Sequence, residues 1–302
     1  MQHHLPSYRR ILIALISFGL TASAVHAQMI NNREGKAFDS PITFNRSFIW
    51  ENKIKTITEK KVVKMTGRPI VDLNDITIYT FGPTGLLEKV ETKKLVDTDP
   101  DSSSILYKRN DIGQLFLVES KKGSELNIQE NIFDQTGKIK RTDIKQRIEE
   151  SKDKYRDLLI ESTTYEYSFP KENTIRRENI NNYGLAFSAI TTEKNEQGFL
   201  LSEEEEWYIS KKVNKKSYHY NEKGWVEKIS SSSSAGEVID EQLEYHYDDI
   251  GNVLTAKKIV KGKAVEDYEV LYQNGALVKA ILIQDLESAA ITIHKYEYTF
   301  KE

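Results

Sequence analysis

The 302-residue chain has no cysteine, which excludes disulfides, Cys-ligated metals, a thiol nucleophile and lipid attachment at an N-terminal cysteine. Six prolines and 15 glycines are too few and too scattered to make a linker, so a single domain is expected over residues 28–302. Neither sign of charge prevails, with 43 Lys+Arg set against 46 Asp+Glu and the two interleaved along nearly every segment. A surface that tracks phosphates needs clustered cations, so no nucleic-acid partner is expected. The composition, 38% hydrophobic and 29% charged, is neither that of a fibre nor that of a helical membrane bundle. What the chain does have is aromatic rings, 16 Tyr and 11 Phe against 3 Met, together with frequent Thr, Ile and Val, a bias that favours strands.

Residues 1–27 have the layout of a secretory signal peptide. Arg9 and Arg10 supply the positive start, Ile11 to Leu20 the apolar run, and Val25-His26-Ala27 a small-residue cleavage pattern. A spanning helix needs roughly 20 apolar residues, and Ser17, Gly19, Thr21 and Ser23 interrupt this one first; a retained anchor is the alternative. Cleavage would leave Gln28 as the first residue and, by removing two arginines and no acid, move the net charge from −3 to −5. The expected location is periplasmic or secreted at the cell surface, peripheral to a membrane at most. An oxidising destination without cysteine puts the burden of stability on burial and backbone pairing.

The chain repeats a phrase: two aromatics one residue apart, a polar turn ending in Gly, then apolar residues. Its clearest copy is Tyr245-His246-Tyr247-Asp248-Asp249-Ile250-Gly251-Asn252-Val253, preceded by Tyr218-His219-Tyr220-Asn221 with Gly224 and Val226. Weaker copies surround Tyr79 with Gly85, Tyr107 with Gly113, Phe133 with Gly137, and Tyr272 with Gly275; Gly198 marks another turn. Trp50 to Ile54 reads as a further copy, and Tyr296 to Phe300 as a half-copy that ends the chain. One double-length gap, between Gly137 and Gly198, holds Tyr165-Glu166-Tyr167 with Asn173 near the turn position.

Alternation along a strand places Tyr245 and Tyr247 on one face and His246 on the other. Asp or Asn opens a turn by bonding local backbone, and Gly takes the positive φ that tight hairpins demand. Each period of about 26 residues accommodates two strands of about 8 residues and two turns. The expected fold is all-β: an antiparallel meander of repeated β-hairpins, about 18 strands, forming a long curled or wrapped sheet. Lys140 to Leu159 lacks a helical stripe and reads as a longer hairpin turning near Ser151 to Lys154. Ser230 to Ser234 reads as part of a flexible connection.

At these residues the chain resembles the YD-repeat (RHS-repeat) proteins, whose unit reads approximately Tyr-x-Tyr-Asp-x-x-Gly-Asn-Leu. Residues 245–253 match it closely, with Val253 for Leu, and decayed copies extend thinly over residues 48–300. The resemblance implies a spiral or curled hairpin sheet on a bacterial exported protein. In large members such repeats form shells around toxin domains, and some are described as carbohydrate-associated. The 302 residues show no Pro-rich core-ending motif and are too few to enclose a folded cargo, so a toxin-shell role is not expected.

Tyr79, Tyr165, Tyr167, Tyr218, Tyr220, Tyr245, Tyr247, Tyr296 and Tyr298 share one phase, so they form either the core or a row of rings. As a row, Tyr218, Tyr220, Tyr245, Tyr247, Tyr296 and Tyr298 would make a platform for sugar rings; as a core, they pair across strands and bury much area. Of the histidines after residue 27, His219, His246 and His294, the first two should lie two strands apart, roughly 9.6 Å, too far for one zinc unless the side chains lean together, and a third ligand such as Asp248 would then be required. Glu203 to Glu206 should face Lys211, Lys212, Lys215 and Lys216 across a hairpin rather than hold calcium. No Gly-x-Ser-x-Gly, His-Glu-x-x-His or phosphate-binding glycine motif is present, and no catalytic, metal or cofactor residue is assigned. The reading is a non-enzymatic exported interaction protein that binds a polysaccharide or cell-envelope partner along its sheet, using Tyr296 to Phe300 as a free edge strand. The alternatives are an outer-membrane β-barrel and a glycan-processing enzyme on a curled sheet.

Overall fold

The computed structural model describes residues 28–39, 41–95, 101–151, 154–234, 240–274 and 276–302, so the expected signal peptide and Gly275 lie outside the described residues. Among the described residues one short helix, α1 (Arg46–Glu51), precedes eighteen strands. They are β1 (Ile54–Lys64), β2 (Ile70–Phe81), β3 (Leu87–Lys94), β4 (Asp101–Arg109), β5 (Leu115–Lys122), β6 (Glu125–Phe133), β7 (Ile139–Ser151), β8 (Lys154–Ser168) and β9 (Thr174–Ile180). The second half comprises β10 (Ala186–Lys194), β11 (Leu200–Trp207), β12 (Val213–Tyr220), β13 (Val226–Ser233), β14 (Glu241–Tyr247), β15 (Val253–Val260), β16 (Lys263–Gln273), β17 (Leu277–Asp285) and β18 (Ile291–Phe300). The all-β hairpin meander and its strand number follow the sequence reading.

The sheet does not end, however. Each strand pairs antiparallel with the next, and β18 pairs back onto β1 through Ile57↔Tyr298, Glu59↔Tyr296 and Lys61↔His294. The curled sheet is a closed barrel, and Tyr296 to Phe300 has a neighbour on both sides instead of a free edge. Closure gives the two terminal strands the hydrogen-bond partners that an open sheet would leave in water.

Register fixes which side chains share a face. Tyr298, Ile57, Tyr79, Val90 and Ile105 lie opposite one another in succession, as do Tyr218, Ile229 and Leu243, and Tyr245, Ala256, Tyr268 and Ile283. All point into the barrel. Connections from even to odd strands lie on one rim, and that rim collects Gly85, Gly113, Gly137, Gly198, Gly224 and Gly251, all with positive φ. Asn173 (φ +57) turns β8 into β9 on the same rim. At Gly251 (φ +95), Asp248 Oδ1 accepts from the backbone N–H of Ile250 and Asn252 while Gly251 N–H bonds Asp248 O, a turn with a glycine bulge. The double-length gap holds one more such turn, Asn181 with Gly184, on the opposite rim. No aromatic pair precedes it, so the repeat phrase does not reveal it.

The long hairpin is β7 and β8, with Ser151 opposite Lys154. Ser230 to Ser233 are not a loose connection: they belong to β13 and pair with β12, where Ser231 faces Lys216, and Ser231 also faces Glu241 of β14. A ladder on each side overrides serine's weak strand preference. The expected copy at Trp50 to Ile54 is instead the end of α1 and the start of β1. Asn45 caps this helix through Oδ1, which accepts from Ser47 N–H and Phe48 N–H.

An 18-stranded barrel is too wide for its own side chains to fill. The chain fills part of the space with residues 28–52, which enter as a plug. Met29, Ile30, Ala37, Ile42, Phe48 and Ile49 are buried in one cluster with the wall's Ile57, Tyr79, Val226, Tyr245, Val278 and Tyr296. A short bridge, Ile30 to Phe44, folds the plug on itself.

The tyrosine of the repeat has a structural task at the glycine rim. The rim bulge leaves the first carbonyl of a strand without a ladder partner on its far side, and the phenol of the following strand donates to it. Tyr220 reaches Leu200 O (2.8 Å), Tyr247 reaches Val226 O (2.6 Å), Tyr272 reaches Val253 O (2.8 Å) and Tyr167 reaches Ile139 O (2.9 Å), while Tyr298 reaches the second carbonyl of β17, Val278 O. Tyr272→Phe should cost about 1–2 kcal/mol in urea unfolding, with an unchanged m-value, because it orphans a buried carbonyl. A Cβ on Gly251 would lie 2.6 Å from Gln28 Nε2 and 2.7 Å from Trp225, whereas one on Gly113 (φ +84) meets nothing within 4 Å. Gly113→Ala should therefore cost only backbone strain, about 1 kcal/mol, and Gly251→Ala clearly more in the same assay.

Candidate functional site

Between the plug and the wall of β10 to β14, opening at the glycine rim, lies a cavity of about 1270 Å³. Its aromatic lining comes from Phe199, Tyr218, Tyr220 and Trp225. Phe199 packs on Tyr220 with centroids 5.0 Å apart, Trp225 on Tyr247 at 5.3 Å, and Lys223 Nζ stands 4.8 Å from the Trp225 ring. Five cations and five anions line the cavity, among them Lys216 and Glu203 from the wall and Lys36 and Asp39 from the plug. Such balanced charge favours a neutral polar ligand over a polyanion.

The six tyrosines expected to form an open platform all face this interior, and the plug covers most of them. Tyr218, Tyr245 and Tyr296 are buried. Tyr245 donates to Gly35 O at 2.8 Å and stacks near Phe38; Asn32 Nδ2 donates to Tyr247 Oη at 2.7 Å; Met29 Sδ lies against Tyr298. Only Tyr218 and Tyr220 also reach the cavity. The rings are core, because an aromatic stripe inside a closed wall must be roofed by something apolar. Burial pushes the Tyr218 phenol up to about 12 and raises those of Tyr79, Tyr245, Tyr247 and Tyr298 further, so they stay protonated near neutrality.

His219 and His246 sit on the outer face of β12 and β14, and no group of three metal-ligating side chains occurs among the described residues. Glu203 and Glu204 face Lys216 and Lys215 in register as expected, but Glu205 and Glu206 face Asn214 and Val213, because Lys211 and Lys212 lie in the connection between β11 and β12 and not on a strand. His294 is different. It faces inward, with Nδ1 2.5 Å from Glu59 Oε1, while Tyr79 Oη donates to Glu59 Oε2 at 2.7 Å and Lys61 Nζ lies 3.7 Å away. Glu59 is 3% exposed, and Phe44 of the plug stands edge-on to Tyr79 beside it. Burial opposes the Glu59 charge, but the hydrogen bonds from His294 and Tyr79 and the positive charges of His294 and Lys61 outweigh it, holding the carboxyl below the usual range. The sequence gives no sign of this cluster, because it exists only where β18 meets β1.

The outer wall is charged around its circumference. Ion pairs bridge β18 and β1 (Lys60 to Glu297, 2.8 Å), β4 and β5 (Lys108 to Glu119, 3.1 Å), and β6 and β7 (Lys145 to Glu130, 2.6 Å). Others bridge β13 and β14 (Lys228 to Glu244, 3.3 Å) and β15 and β16 (Lys257 to Asp267, 3.8 Å). No helix among the described residues is long and apolar enough to cross a membrane, which says nothing about crossing with strands.

Because the folded pKa of Glu59 lies below its unfolded value, its contribution to stability is present above the ordinary glutamate value of 4.5 and lost as the pH falls through the folded one. Thermal unfolding followed against pH should show an acid limb below that value. Glu59→Gln should shrink the limb while lowering the midpoint at pH 7.

No family model and no curated protein matches the chain. Among solved structures it is similar to a porin-like protein from Bacteroides uniformis, at 9% identity and TM-score 0.39 over 82% of this chain and 98% of that one. A porin-like protein from Bacteroides vulgatus matches at 9% identity and TM-score 0.31, over 69% and 97% of the two chains. A structure of TcdB2-TccC3-TEV matches at 13% identity and TM-score 0.28, over 73% of this chain but only 13% of that one. These scores are low, and the closed barrel rests on the strand pairing of this chain itself.

Proposed function

We propose that the chain is an exported, non-enzymatic barrel of the cell envelope that stands in water and binds a polysaccharide segment or cell-surface partner at the cavity on its glycine rim. The observation that carries this reading is the outer wall. A strand barrel in a bilayer presents an apolar band about 25 Å tall, and each Lys or Arg near the midplane costs about 2–4 kcal/mol. Three such cations would cost about 6–12 kcal/mol, comparable to the whole stability of a domain. Here charged pairs occur on five separate strand junctions. The layout of residues 1–27 supports export, and the repeat phrase supports kinship with the YD-repeat proteins.

The lipid-embedded outer-membrane barrel is the second reading, favoured by one observation: a closed ring with an even number of antiparallel strands, the architecture that crosses bilayers without helices. Cell fractionation separates the two. Recovery of the protein in the detergent-free soluble fraction supports the water-standing barrel, and retention in the membrane pellet after a carbonate wash supports the embedded one.

Ligand binding is tested with a panel of neutral and acidic oligosaccharides. A neutral one should quench Trp225 fluorescence, and Trp225→Ala should weaken its binding about tenfold by titration calorimetry.

A further inference from the structure

At the six glycine turns described on the rim, the residue after the glycine is Leu86, Gln114, Lys138, Phe199, Trp225 or Asn252. It is aromatic at two successive turns only, and both of these rings line the cavity. The two turns are built alike: Asn195 Oδ1 accepts from Phe199 N–H at 2.8 Å, and Asn221 Oδ1 accepts from Trp225 N–H at 3.0 Å. Each ring then leans over the glycine of the next turn. A Cβ on Gly224 would stand 3.0 Å from Phe199 Cζ, and one on Gly251 would stand 2.7 Å from Trp225 Cζ2. Glycine is therefore the seat of the ring as well as the turn residue, and a side chain there would lift the ring off it. Phe199 is further braced by Tyr220 (centroids 5.0 Å apart) and Trp225 by Tyr247 (5.3 Å), so little side-chain freedom is left to lose on binding. Although it lines the cavity, Phe199 remains 39% exposed.

Equivalent positions one repeat apart are separated by two strand spacings, roughly 9.6 Å. A single pyranose ring cannot reach across that distance, whereas a straight chain of linked rings places every second ring at about that step. Resting on the reading that the cavity binds a saccharide, we propose that Phe199 and Trp225 are two subsites for alternate sugar units of one extended, neutral glycan. The aromatic faces take the apolar C–H faces of the sugars. Charged groups elsewhere in the lining, such as Lys36, Glu203 and Lys216, offer donors and acceptors to the hydroxyls without a net charge that would select an ion. The class of ligand follows from the step between the rings. Equatorial linkages, as in a β-1,4 chain, keep successive sugars straight enough to meet both, and α-1,4 linkages curl the chain away from the second.

The test is calorimetric titration of the full chain with cellobiose, cellotetraose and maltotetraose. Cellotetraose should bind about tenfold tighter than cellobiose, because only the longer chain spans both rings, and clearly tighter than the curled maltotetraose. Phe199→Ala should abolish the advantage of the tetraose while leaving cellobiose affinity within about twofold, and Phe199→Tyr, which keeps a flat ring, should retain it. Tyr183→Ala removes an exposed ring from the opposite rim and should change neither affinity. Equal binding of cellobiose and cellotetraose, equal binding of the two tetraoses, or an equal loss for both cello-oligosaccharides in Phe199→Ala overturns the pair of subsites while leaving saccharide binding in place. Failure of cellotetraose to bind overturns the pair as well, and failure of every saccharide to bind overturns the reading of the cavity along with it.

Discussion

The structure depends on the satisfaction of backbone hydrogen bonds around a ring. Every strand has two neighbours because the last returns to the first, so no N–H or C=O row is left to recruit another chain. The requirement is hardest to meet at the glycine rim, where each bulge shifts the ladder by one residue. There the phenols take over the lost pairing, one strand to the next. The repeat phrase is thus the sequence record of one local problem solved many times: glycine makes the turn, Asp or Asn stabilises it, and tyrosine satisfies the carbonyl that the turn leaves behind.

Closing so many strands creates a second problem, an interior wider than opposing side chains can span. The chain meets it unevenly. The arc from β12 through β18 to β3 is lined with apolar and aromatic residues and packs against residues 28–52. The inward face of β6 to β11 carries polar residues such as Gln129, Thr142, Arg177, Asn179 and Glu203. The cavity lies where the two kinds of lining meet, which is why it carries both aromatic surface and balanced charge.

Much of the wall was legible from local pattern. Turn glycines, the shared phase of the tyrosines, the long β7–β8 hairpin and the register of Glu203 against Lys216 all follow from alternation and turn chemistry, which act over a few residues. What was not legible is everything set by distant contact. Closure is decided between Ile57 and Tyr298, and the plug carries no repeat phrase. Glu59 reads as one acid among many until His294 is brought to it from the other end of the chain. Local bias also misled at Ser230 to Ser233, where flanking ladders decide the outcome, and at Gly184, whose turn lacks the aromatic pair. The rings of Tyr245 and Tyr296 were correctly phased, but only the plug shows that they are a core and not an open surface.

The seam between the first and last strands has a kinetic consequence. Lys60 and Glu297, which meet across it, are 237 residues apart, whereas nearly every other pairing joins consecutive strands and can form early. Assembly should therefore proceed quickly as a growing ribbon and then wait on one slow, entropically costly joining event. Until the final strand has emerged, the ribbon carries two unprotected sides, and this interval is when it is most prone to self-association. A cell that makes such a molecule has to shepherd it through that delay, and a chain truncated before its last strand would never leave it.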